Sequence, residues 1–184
     1  MLKILTSKVN ALRKVSRYSS FKTRKMIAQG IIMSNLTYLI QLYASSSDYL
    51  LNLLQVVQNT AARLVTKLPW NTPTSTLLLQ CGWLDVRQLA TFHCLVMLFK
   101  MRKDKKPVYF YDKISTAFGY STRLATTHGI RCNTMISTEL SKNSFLNRTT
   151  ETWNKLPVEI RSITTIREFK KKIKIWVKDS TNIT

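Results

Sequence analysis

Apolar side chains recur at intervals of three and four residues through most of residues 2–103, and that spacing predicts helices there. Leu2, Leu5, Val9 and Leu12 make the first stripe, with basic residues mostly on other faces. Ser19 or Ser20 offers an N-cap for a second helix reaching about Tyr43. From Ile31 to Tyr43 this helix is apolar nearly all round, broken by Ser34, Asn35, Thr37 and Gln41, which predicts burial on several sides of a bundle. Asn35 and Gln41 should then be bonded inside the bundle, and Gly30, disfavoured in mid-helix, should mark close packing. A third helix starts at Ser47 or Asp48, carries Leu50, Leu54, Val57, Ala61, Leu64 and Leu68 on one stripe, and is ended by Pro69. Pro73-Thr74 opens a short helix to about Gln80 that Gly82 breaks; Asp85 caps a further helix bearing Leu89, Phe92, Val96 and Phe99.

After Lys103 the character changes. Pro107 to Phe118 is aromatic and is expected to form a strand or an ordered loop, and Gly119 to Asn143 is polar with no clear period. Helical pattern returns at Ser144 and stops before Pro157, which suits the first position of a one-turn helix, Val158 to Arg161. Thr165-Ile166-Arg167-Glu168 is a capping box for a terminal helix, with Ile166, Phe169, Ile173 and Trp176 on one face and lysines on an adjoining one. The expectation is a mainly α chain: a helical bundle over 1–104, then a smaller, partly irregular α region over 105–184. No internal repeat or low-complexity tract interrupts it.

Charge narrows the function. Among 184 residues, 29 Lys and Arg face 9 Asp and Glu, a net charge of +20 in a chain that is 45% hydrophobic and so able to build a core. Such an imbalance adds self-repulsion that a polyanion would relieve, whether nucleic acid or an anionic membrane surface. No acidic residue precedes Asp48, and further basic clusters lie at Lys100 to Lys106 and Arg161 to Lys178. The acid-free, amphipathic start also looks like a mitochondrial presequence, but the pattern continues straight into packed helix. With no secretory signal and three cysteines without paired spacing, Cys81, Cys94 and Cys132, a reducing interior is expected, nuclear or cytoplasmic. No window approaches the roughly 18 apolar residues of a membrane span.

Catalytic patterns are missing. Two-metal phosphoryl transfer requires clustered carboxylates, and the nine acids are scattered singly, with no Asp-Asp pair. There is no phosphate-cradling glycine loop, no GxSxG and no HExxH. His93-Cys94 and His128 with Cys132 lack the paired spacing of zinc ligands, so a core histidine and buried thiols are expected, with no metal and no cofactor. Trp83, Trp153 and Trp176 fall at core positions; Tyr109, Phe110 and Tyr111, next to five basic residues, supply either core area or a surface on which bases stack.

Taken in order, several segments resemble the end of the reverse transcriptase of jockey-like non-LTR (LINE-type) retrotransposons. They are Phe21-Lys22-Thr23-Arg24-Lys25; Leu53 to Leu64 with Gln55, Gln58-Asn59 and Ala61-Ala62-Arg63; Thr74 to Leu78; Gly82-Trp83-Leu84; and Leu89 to Lys100. Lys106 to Tyr109 follows, then Tyr120-Ser121-Thr122-Arg123, Ser144-Phe145, Arg148, Trp153-Asn154, Leu156-Pro157, Ile160-Arg161 and Phe169-Lys170. The resemblance covers almost the whole chain. It implies the thumb and post-thumb regions without the fingers and palm, which lie upstream in the family and hold the metal-binding aspartates. It therefore implies no polymerase activity for this chain alone, with those upstream domains as possible missing partners.

The resemblance also implies the thumb's task, gripping RNA, RNA–DNA hybrid or DNA duplex by its backbone phosphates. The candidate contacts are Lys22, Arg24 and Lys25 at the start of the second helix, Arg63, Arg123 and Arg148, and Lys170, Lys171 and Lys174 on the terminal helix. Two other readings stay open: a decayed element whose charge is inherited without a selected function, and a membrane-surface binder in which Trp176 sits beside lysines.

Overall fold

In the computed structural model, which describes residues 2–38, 40–115, 128–132, 138, 141 and 144–180, every regular element among the described residues is helical and the fold is mainly α. Packing divides the chain into Met1–Ala90 and Thr91–Thr184. The boundary anticipated at residue 104 coincides with the end of helix α7 (Val86–Asp104). The division falls inside that helix instead, because Leu95, Leu98, Phe99 and Met101 join a core made with the C-terminal helices.

In the first unit, α1 (Leu2–Ser16) and α2 (Phe21–Ala28) both pack on α5 (Asp48–Thr66). Leu5, Leu12, Ala28, Ile32, Ala61 and Val65 are fully buried there. Burying a large aliphatic side chain contributes roughly 1.5–3 kcal/mol, so this face outweighs the modest intrinsic helix propensity of α1. Ser20 caps α2, its hydroxyl accepting from the Thr23 amide at 3.2 Å.

The long second helix expected to run to Tyr43 is interrupted twice. A π-helical segment, Gln29–Met33, leads into α3 (Ser34–Thr37), and Tyr38 is extended (φ −65°, ψ 118°) before α4 (Ile40–Tyr43). The break at Tyr38 leaves the Leu36 carbonyl without a helical donor, and the Tyr43 hydroxyl donates to it. Gly30 lies in the π-helical segment with nothing within 4 Å of where a side chain would begin, so it does not mark close packing. Asn35 donates to the Ile31 carbonyl at 2.9 Å, one turn back in the π-helical segment, a local bond in place of one across the bundle.

Helix α5 buries Leu51, Leu54, Gln58, Ala61, Ala62 and Val65, a face rotated from the anticipated stripe; Leu50 is 45% exposed. Its end is Lys67, in the left-handed region (φ 55°), ahead of Pro69. Gln58 holds the reason for the rotation. Its amide donates to the Leu84 carbonyl at 2.7 Å and accepts from Gln55 at 3.0 Å, while Gln55 accepts from the Val86 amide at 2.8 Å. This polar relay ties α5 to the junction between α6 (Thr74–Cys81) and α7. Gly82 ends α6 with φ +68°, a conformation that favours glycine. Asp85 and Gln88 then exchange backbone bonds at 2.7 and 3.1 Å as a reciprocal cap on α7.

In the second unit, the segment expected to be strand or loop is helix α8 (Val108–Ser115), whose first turn bonds the Pro107 carbonyl; residues 116–118 lie outside the described residues. Aromatic composition favours strands only weakly, and the preset φ of Pro107 favours a helix start. Helices α9 (Phe145–Asn154), α10 (Val158–Arg161) and α11 (Ile166–Ser180) follow, with Pro157 preceding α10 as anticipated. Thr165 and Glu168 meet at 3.4 Å at the start of α11. The core stacks Phe99 on Phe169 (4.3 Å) and Phe169 on Trp153 (5.5 Å). Trp176 packs only at its margin.

Candidate nucleic-acid interface

Basic residues divide by what their side chains already hold. Arg24 is 6% exposed: its Nε donates to the Val65 carbonyl at 2.8 Å and its Nη1 to the Ser19 carbonyl. Val65 belongs to the last turn of α5, whose carbonyls have no helical donor, so Arg24 is a helix cap reaching from a neighbouring element. A phosphate cannot reach it, and the expectation that Arg24 contacts one is corrected. Arg63 is half-buried, donating to the Trp70 and Thr72 carbonyls at 2.8 and 3.3 Å with its guanidinium 4.8 Å from the Trp70 ring centre. It staples the loop after α5. Arg148, half-buried on α9, donates to the Cys94 sulfur at 3.7 Å. Burial pushes the Cys94 thiol up, and the Arg148 charge and its bond oppose that shift. Arg123 lies outside the described residues.

The lysines differ. Lys22 is exposed in the first turn of α2. Lys25 is half-buried, its Nζ 3.8 Å from where a Gly82 side chain would begin, so its charge faces the carbonyl end of α6, where a cation is favoured. Its positive charge also opposes the burial that pushes the Cys81 thiol up to about 11. Lys170, Lys171 and Lys174 are exposed on α11, while Phe169, Ile173 and Val177 of the same helix are buried. One turn thus anchors in the core and presents ammonium groups outward.

Exposed cations that the candidate set omits stand on α1, Lys3, Arg13 and Lys14, and just after it, Arg17. Their signal in the sequence is the acid-free run before Asp48. Nine Asp and Glu cannot balance 29 Lys and Arg. Asp48 pairs with Arg87 and Glu151 with Lys155, each at 2.8 Å and on the surface, where such pairs add little. His93 is half-buried, and burial, with the Lys170 charge beside it, holds its pKa below the usual histidine value. Among the described residues no three His, Cys, Asp or Glu side chains gather as a metal site would require, and no helix is long and apolar enough to cross a membrane.

The Trp153-Asn154…Leu156-Pro157 sequence has a structural account. Trp153 and Leu156 are core, Pro157 precedes α10, and Asn154 exchanges bonds with the Ile130 backbone at 2.7 and 2.9 Å. The fold and these surfaces define a mainly helical protein with lysine-rich exposed faces. No protein-family model, curated protein or solved structure matches the chain.

Proposed function

We propose that this chain is a non-catalytic grip for nucleic acid, holding RNA, RNA–DNA hybrid or DNA duplex through backbone phosphates, as the thumb region that its sequence resembles does within a retrotransposon reverse transcriptase. The observation that carries this reading is the face of α11, where Lys170, Lys171 and Lys174 are exposed over a buried Phe169, Ile173 and Val177. Lysines held on a rigid helix can follow a line of phosphates without reading bases. A membrane-surface role is less well supported, since Trp176 packs against the core and Ile175, at 56% exposed, is the large apolar side chain that α11 offers outward. In the family that the sequence resembles the catalytic role belongs to the fingers and palm, whose paired carboxylates for metal have no counterpart among the residues of this chain.

Each phosphate neutralised releases counterions, so log affinity falls linearly with log salt, by about 0.9 per contact on duplex. If a quarter of the 29 basic residues touch the backbone, about seven contacts give a slope near −6. Replacing Lys170, Lys171 and Lys174 together with Gln should flatten the slope by up to about three without altering sequence preference. Anisotropy titrations across a salt series measure this. An unchanged slope removes α11 from the interface, and tighter binding to anionic vesicles than to duplex overturns the reading. In primer extension with magnesium or manganese, the purified chain should incorporate no nucleotide.

A further inference from the structure

A pocket of about 350 Å³ in the second unit is lined by Arg102, Lys103, His128, Arg161 and the turn Ser162 to Thr164. None of its lining residues is acidic. Two features mark it as prepared for an anion. First, the Arg161 guanidinium has Nε and Nη1 buried with no hydrogen-bond partner. Buried donors left unpaired cost about 1–3 kcal/mol, more when charged, so an anion that reaches the remaining guanidinium nitrogen, Nη2, and neutralises the charge offsets part of that cost. Second, Arg102 is held in place: its guanidinium lies 5.0 Å from the Trp153 ring centre, at the end of the Phe99–Phe169–Trp153 stack. Burial lowers the Arg102 pKa, a cost that a bound anion offsets.

The His128 backbone is also held. Its carbonyl accepts from the Trp153 indole at 3.1 Å, and the Asn154–Ile130 pair pins the segment just beyond it. The pocket is therefore bordered by Arg102 and a His128 backbone that are both tied to Trp153 in the core.

We infer that this pocket binds a phosphomonoester, with Arg161 and Arg102 donating to its oxygens and Lys103 supplying charge at the rim. Three cationic side chains around one cavity match the near-double charge of a terminal phosphate better than the single charge of a backbone diester. The site is separate from the exposed lysines of α11 and stands whether or not those lysines grip a duplex. The phosphate can come from the 5′ end of a nucleic acid or from a small free phosphate.

Proton–nitrogen NMR of the full chain, titrated with inorganic phosphate at constant ionic strength, tests it. Saturable shifts are expected at His128 and at the Ser162 to Thr164 amides, weakened about tenfold in K103Q and in R161Q, the loss typical of one charge-assisted bond. Lys103 is exposed, so K103Q keeps the test valid if R161Q fails to fold. Oligonucleotides bearing a 5′-phosphate or a 5′-hydroxyl then identify the source. A preference of about tenfold for the phosphate, lost in K103Q, assigns a nucleic-acid end; equal affinity with inorganic phosphate still bound assigns a small phosphate. Absence of saturable shifts, or shifts unchanged in both variants, overturns the proposal. The α11 triple Gln variant should leave the phosphate shifts intact, which separates the failure of one site from that of the other.

Discussion

Lys22 and Arg24 stand two residues apart on α2 and do unrelated work. Arg24 spends its guanidinium on the carbonyls of Val65 and Ser19 inside the bundle, while Lys22 is in solvent. Arg24→Gln leaves both carbonyls short of a donor and should cost about 1.5–3 kcal/mol, the range for bonds to charged groups. Lys22→Gln should leave stability within about 0.5 kcal/mol, as surface changes do, and flatten the salt slope by up to about one. Urea melts alongside salt-dependent titrations separate the two; an R24Q protein as stable as its parent contradicts the assignment. Both residues are equally basic in the sequence, and nothing local distinguishes them. What decides is a carbonyl from a helix end 41 positions away. Arg63 repeats the lesson with loop carbonyls at Trp70 and Thr72. A guanidinium offers five donors in a fixed fork suited to such oxygens, which Arg24 and Arg63 both use, while Lys22, Lys170, Lys171 and Lys174 remain exposed.

Helix punctuation was legible at the level of elements because capping is local: Ser20, Asp85, Pro157 and Gly82 each act within a few residues of where they stand. The face of α5 was not, because its centre is Gln58, a polar residue that hydropathy assigns to solvent and that a carbonyl at Leu84 recruits to the core. Helix α8 departs from expectation for a related reason: its aromatic residues suggest a strand or an ordered loop where Pro107 starts a helical turn. On α11 the spacing predicts Phe169 and Ile173 in the core, but the face extends to Val177 and leaves Ile166 and Trp176 at the margin, and its lysines have an effect that spacing does not reveal. Lys170 lowers the pKa of His93 on α7, adding to the effect of burial. A histidine whose folded pKa is depressed favours the folded state above its ordinary value near 6.5, and that contribution is lost as pH falls through and below it. Stability should therefore decline on acidification from about pH 7 to 5, and Lys170→Gln should raise the His93 pKa and soften the decline. Histidine NMR titration of both proteins measures it; an identical His93 midpoint in the variant contradicts the coupling.

At the scale of the whole molecule the surplus of 20 positive charges governs behaviour in salt, with opposite signs for stability and for binding. Like charges repel more in the folded chain than in the expanded unfolded one, so screening should stabilise the fold. The screening length shrinks from about 10 Å at 0.1 M to about 3 Å at 1 M, short enough to uncouple neighbouring lysines on α11. Raising sodium chloride should thus raise the melting temperature over the same range in which affinity for duplex falls. Duplex at low salt should do the same by binding the folded state. At a hundred times its dissociation constant a ligand adds about 2.7 kcal/mol. For a chain of this size that is roughly 5–10 °C, at about 2–4 °C per kcal/mol. The unfolded chain carries the same charge and binds polyanions too, so the observed shift measures only what the folded arrangement adds. The α11 triple Gln variant supplies the control: its melting temperature in salt alone should rise, since three repelling charges are gone, while its gain from duplex should shrink. A gain from duplex equal to the parent's would mean that the duplex recognises total charge and not the helical face, and the proposed grip would lose its structural basis.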